Sequence, residues 1–107
     1  MTVRVHLTDA AIADIGAILR WIEERSVPGS EAWYRRWLEV LDSLRERADV
    51  FGLAPESEDH PEPIHQVLFK TKRGRRYRAL FSVRENEVFV LHVRGPGQRL
   101  LRPDELK

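Results

Sequence analysis

Apolar and polar residues alternate at the start of the chain, with Val3, Val5 and Leu7 between Thr2, Arg4 and His6. This period-2 pattern predicts a half-buried strand. Thr8-Asp9 then signals a helix start: Thr8 can cap and Asp9 complements the positive end of the helix dipole. Ile12, Ile15, Leu19 and Ile22 follow at helical spacing, with Ala11 and Ile18 beside them. Ser26-Val27-Pro28-Gly29 breaks the pattern, and Ser30 can cap a second helix. That helix carries a stripe of Trp33, Trp37, Val40, Leu41 and Leu44, with Glu31, Arg35, Arg36, Glu39 and Asp42 mostly outside it. Two amphipathic helices separated by a short break predict an antiparallel hairpin.

Residues 49–63 are rich in proline and acidic side chains without periodicity, which predicts a crossing loop. Alternation resumes over 64–70, 76–83 and 88–94. Lys72-Arg73-Gly74-Arg75 and Glu85-Asn86 supply the turns, and Gly95-Pro96-Gly97 ends the last strand. The element order is β-α-α-β-β-β, an α+β domain spanning 1–107. The helical hairpin is expected to cover one face of an antiparallel four-stranded sheet, because a sheet with one apolar face must bury it. Val3, Val5, Val67, Phe69, Tyr77, Phe81, Phe89, Leu91 and Val93 are assigned to that covered face. Gln66, Lys70, Arg76, Arg78, Ser82, His92 and Arg94 are assigned to an open, basic one. Leu100 and Leu101 can dock the polar tail.

Charge segregation changes this picture more than net charge does. The chain of 107 residues is only +1 overall, with 42% hydrophobic and 33% charged residues, enough for one core. Residues 39–63 carry −6, whereas residues 64–102 carry +8. A basic C-terminal half offers a local field for phosphate without making the whole protein basic. The absence of cysteine excludes disulfides and thiolate metal sites and suits a cytoplasmic location. No apolar run approaches the roughly 18 residues of a membrane span. The N-terminal residues lack the apolar stretch of a signal peptide.

Chemistry concentrates at Lys70-Thr71-Lys72-Arg73-Gly74-Arg75-Arg76-Tyr77-Arg78, where six of nine residues are cationic. Such a run is either a solvated turn or a phosphate-binding rim. Two arginines on adjacent strands, Arg78 and Arg94, would be pre-organised for bidentate contact with phosphate oxygens. His92 precedes Arg94 by two residues on the expected polar face, within reach of a bound phosphodiester, or it is a sheet histidine without catalytic duty. Glu56, with Glu58, Asp59 and Glu62, forms an acidic loop that either supplies a general base, or stays solvated or pairs with the positive face. His60 and His65 lie near acidic residues, but their spacing matches no standard metal site, so neither metal nor cofactor is expected. P-loop, dinucleotide-binding, nucleophile-elbow and zincin motifs are absent.

Four segments together resemble the RelE/ParE superfamily of type II toxin–antitoxin toxins, the plasmid stabilisation proteins. They are Val5-His6-Leu7-Thr8-Asp9-Ala10-Ala11-Ile12-Ala13-Asp14-Ile15, Gly52-Leu53-Ala54-Pro55-Glu56, Tyr77-Arg78-Ala79-Leu80-Phe81 and Val90-Leu91-His92-Val93-Arg94. The resemblance covers nearly the whole chain. It implies a cognate antitoxin as partner and one of two targets. RelE-like members cut ribosome-bound mRNA without a metal, and ParE-like members inhibit DNA gyrase. On the first reading, Arg78 and Arg94 stabilise the scissile phosphate, His92 or Glu56 moves protons, and Lys70, Lys72, Arg73, Arg75, Arg76 and Arg99 position RNA. Where many relatives follow the last-strand basic residue with a histidine or another polar group, this chain reads Gly95-Pro96-Gly97-Gln98-Arg99. That difference motivates a third reading, a member that binds only antitoxin and operator DNA.

Overall fold

A computed structural model describes residues 2–106. Its elements are β1 (Val5–Leu7), α1 (Asp9–Glu23), α2 (Val27–Arg47), β2 (His65–Phe69), β3 (Tyr77–Arg84) and β4 (Glu87–Arg94). Short 3-10 turns occupy Ala48–Val50, Pro55–Asp59 and Pro103–Glu105. Thr8 caps α1 by accepting from the Ala11 N–H at 3.1 Å. The cap of α2 is Ser26 rather than Ser30, and Pro28 sits in the first turn. There its missing N–H costs nothing, because the first N–H groups of a helix have no intrahelical acceptor. Ser30 is instead buried, its hydroxyl donating to the Val27 carbonyl.

The sheet runs β1-β4-β3-β2 and is mixed, not antiparallel throughout. β2, β3 and β4 form an antiparallel meander, whereas β1 lies parallel to β4 at the sheet edge. Alternation in sequence reports which face a residue takes, not the direction of its neighbouring strand. The Glu85-Asn86 turn joins β3 and β4 with φ of 50° and 64°, the doubly positive conformation that matches strand twist in a tight hairpin.

The face assignment holds for β2 and β3 but fails in part for β4. Leu80 pairs with His92, but Phe81 pairs with Val90, leaving Leu91 as the extra residue of a β-bulge. The bulge reverses the inside–outside alternation. Val88, Val90 and Val93 therefore pack under the helices with Val67, Phe69, Ala79 and Phe81. Phe89 and Leu91, expected under the helices, lie on the opposite face. That second face is not open. Leu80 and Leu91 are buried there with Ala54 and Ile64 from the crossing loop and Leu101 and Leu106 from the tail. Leu100, expected to dock, is exposed.

The main core is centred on α2. Trp33 and Trp37 are each 2% exposed and stack at 6.2 Å, with Phe69 at 5.7 Å from both rings. α1 contributes Ala11 and Ile15, whereas Ile12 faces outward. Trp21 is largely exposed, with the Arg25 guanidinium over its ring at 3.8 Å. Trp37→Ala should lower unfolding free energy by about 3–5 kcal/mol through lost burial and a residual cavity, and Trp21→Ala by under about 1 kcal/mol, as read from denaturant melts.

Candidate functional site

Cross-strand pairing places Arg78 directly opposite Arg94 on the face away from the helices. The two expected phosphate-binding arginines therefore do converge. Their guanidinium groups, however, are already engaged. Arg78 makes a two-point pair with Glu56, Nη1 to Oε1 at 2.7 Å and Nη2 to Oε2 at 2.6 Å, and Nη1 also donates to Gln66 Oε1 at 3.2 Å. The Glu56 side chain is fully buried, and its Oε2 also accepts from the Leu101 N–H at 3.2 Å. Burial works against charge on Glu56, but Arg78 and the Leu101 N–H outweigh it and hold the carboxyl below its ordinary value. Of the readings open for the acidic loop, Glu56 thus takes pairing with the positive face, and it does so as a buried ion-pair partner.

Arg94 donates through Nη2 to the Arg99 carbonyl at 2.8 Å, and its Nε is buried without a partner. Both ring nitrogens of His92 face acceptors: Nδ1 lies 2.8 Å from Asp14 Oδ2 and Nε2 lies 2.9 Å from the Glu105 carbonyl. Asp14 also accepts from the Val93 N–H at 3.0 Å, covering the edge of β4 beyond the end of β1. The hydrogen bond to Asp14 leads in raising the His92 pKa, and the Glu105 carbonyl adds to it. Only the doubly protonated ring can donate to both partners.

The tail is held at a second point by His60, whose Nε2 lies 3.0 Å from the Leu106 carbonyl. Arg99, assigned to RNA positioning, is paired with Glu105 at 2.8 and 3.0 Å. That arginine and the Arg102 backbone N–H hold Glu105 down to about 2. Asp14 and the tail carbonyls carry no local signal of these roles, whereas Gln66 lies on the face expected for it and contacts Arg78 there. Burial of Leu101 and Leu106 brings the Glu105 and Leu106 carbonyls to His92 and His60, and Leu101 in a polar tail is the sequence signal for it.

The remaining cations behave differently. Lys70, Lys72, Arg73, Arg75 and Arg76 are exposed in the β2–β3 connection, and none makes an ion pair among the described residues. A turn bonded from the Gly74 N–H to the Thr71 carbonyl shapes this loop. A Cβ at position 74 would meet the Thr71 side-chain hydroxyl, so a larger residue there requires Thr71 to turn away. Arg36 of α2 braces the loop through Nε to the Lys70 carbonyl at 3.3 Å.

Beside this loop, a groove of about 430 Å³ runs between α2 and β2, lined by Arg36, Arg47, Ser43, Val50, Phe51 and Leu68 among others. β2 is the outer strand of the sheet there. Its first residues are covered by Gly52-Leu53, which accept the Gln66 N–H and bridge to His65, while Leu68 is exposed. No cluster of three or more metal-ligating side chains occurs among the described residues, and no described helix is long and apolar enough to cross a membrane.

Arg78→Ala leaves Glu56 buried and unpaired, so it should cost about 3–5 kcal/mol of stability in denaturant melts. The double change Arg78→Met with Glu56→Gln removes both charges, keeps an acceptor for Leu101, and should recover most of that loss. For His92, a pKa raised on folding means its stabilisation is complete below the ordinary value of 6.5 and is lost as pH rises through the raised value. NMR titration of the ring should show a pKa above 6.5 that Asp14→Asn brings down.

No protein-family model matches the chain, and no curated protein matches it in sequence. Among solved structures, the chain is similar to a double arginine-to-alanine variant of the E. coli toxin RelE in the free state. The two are 19% identical with a TM-score of 0.47, over 91% of this chain and 86% of that one.

Proposed function

We propose that this protein is the toxin of a type II toxin–antitoxin pair, and that it acts by binding its target rather than by cutting RNA at the sheet. The family reading rests on the β-α-α-β-β-β order and on the four sequence segments that resemble the RelE/ParE superfamily. The mode of action rests on one observation: Arg78 is locked to a fully buried Glu56 in a two-point ion pair. Metal-independent cleavage needs a cation free to meet developing phosphate charge and a base free to take a proton. Arg78, Glu56 and His92 all spend those capacities inside the molecule.

The five unpaired cations of the β2–β3 loop supply the surface for an anionic target. The groove between α2 and β2, with Arg36 and Arg47 at its sides, suits an extended segment of an antitoxin carrying acidic and apolar side chains. The RNA-cleaving reading retains one favourable feature, the juxtaposition of Arg78 and Arg94 on one face. It requires the Glu56 pair to open.

Expression without the partner should arrest growth. Purified protein should inhibit gyrase supercoiling and leave ribosome-bound mRNA intact. Charge reversal at Lys72 and Arg73 should weaken inhibition at least tenfold while leaving the far-UV circular dichroism unchanged. Ribosome-dependent cleavage abolished by Arg78→Lys, in a protein that still folds, would establish the other reading.

A further inference from the structure

The outer face of α2 carries an apolar stripe that no other described element covers. Val27 is 55% exposed, Tyr34 46% and Leu38 42%, while the buried side of the same helix holds Trp33, Trp37, Val40, Leu41 and Leu44. At 3.6 residues per turn, Val27, Glu31, Tyr34, Leu38, Asp42 and Arg45 project within about 40° of the direction of Leu38. This stripe points away from both the sheet and the groove lined by Arg36, Ser43 and Arg47.

The charges along it have an order. Glu31 and Arg45 lie seven residues to either side of Leu38 and have opposite sign, and Tyr34 and Asp42 lie four residues to either side. A two-fold axis through Leu38 with antiparallel helices would set Glu31 against Arg45 of the second copy, and Tyr34 against Asp42 of the second copy. Each contact would occur twice, as a two-fold interface requires. A parallel arrangement would instead place like charges together. Within the chain Arg45 pairs with Asp42 at 2.7 Å, but the Arg45 side chain is about half exposed and that of Asp42 largely so. Such a pair contributes little and exchanges readily for an intermolecular one.

We infer that α2 is a self-association surface, on which a second copy of this chain docks antiparallel about Leu38 and Tyr34, with reciprocal Glu31–Arg45 pairs. The inference is independent of the target and of the catalytic reading. One helix pair is small against the roughly 800 Å² per partner of a standard interface, so the dissociation constant is expected in a range of about 10–100 μM.

Sedimentation equilibrium from about 5 μM to 1 mM spans that range and should show the mass rising from monomer to dimer. Leu38→Glu, at an exposed position that leaves the core intact, should stay monomeric with unchanged circular dichroism. Glu31→Arg and Arg45→Glu should each weaken association at least fivefold. Combining the two restores opposite signs across the axis and should return it to near the starting value. Because the chain has no cysteine, Leu38→Cys reports geometry directly: it should cross-link to itself under mild oxidation, whereas Ile12→Cys on α1 should not. A wild-type protein that remains monomeric at the highest concentration overturns the inference. So does a double charge swap no better than its single changes, or equal cross-linking at the two cysteine positions.

Discussion

One buried carboxylate joins three segments that are distant in the chain. Glu56, in the crossing loop, takes two hydrogen bonds from Arg78 on β3 and one from the backbone of Leu101 in the tail. A carboxylate withdrawn from water is tolerated only when such donors replace its hydration. The pair therefore demands that loop, strand and tail arrive together. Ala54 and Ile64 on the loop and Leu101 and Leu106 on the tail close over Leu80 and Leu91 around it. The second hydrophobic cluster and the ion pair are one construction: the apolar residues exclude the water that would weaken the pair, and the pair satisfies the polar groups that the cluster would otherwise strand.

This construction sorts the positive charge of the C-terminal half into two populations. Arg78, Arg84 and Arg99 are matched by Glu56, Glu62 and Glu105. The acidic loop and tail thus neutralise Arg78 and Arg84 on β3 and Arg99 in the tail, whereas Arg94 meets only the Arg99 carbonyl. The cations from Lys70 to Arg76 extend past the reach of those carboxylates and keep their charge for solvent or a partner. Arg47 and Arg36 continue that surface along the groove beside β2. The electrostatic asymmetry visible in the sequence survives folding, but its exposed part moves from the face of the sheet to one end of it.

The histidines follow the same logic of closure. His92 and His60 hold successive carbonyls of the tail, at Glu105 and Leu106, and His92 is in turn anchored by Asp14 of α1. The tail is thereby tied to both the helical layer and the crossing loop. Protonation of the His92 ring, whose two neighbours are both acceptors, adds to the hold that the buried leucines and Glu56 already have on the tail.

The sequence alone determined the element order, the helical hairpin, the Glu85-Asn86 turn and the presence of Arg78 beside Arg94. Each follows from local periodicity, turn chemistry or short-range spacing. Helix caps were legible to within one turn, since Ser26 and Ser30 are both good caps and only the tolerated Pro28 separates them. Tertiary structure alone decided the parallel placement of β1, the bulge at Leu91 and the closing of the second face. Register and strand direction come from pairing between segments far apart in the chain, and one unpaired residue exchanges the faces of all that follow it. Whether an arginine meets a ligand or an internal carboxylate is likewise a matter of three-dimensional proximity: Arg78 and Glu56 are separated by 22 positions, and no local pattern in either segment names the other.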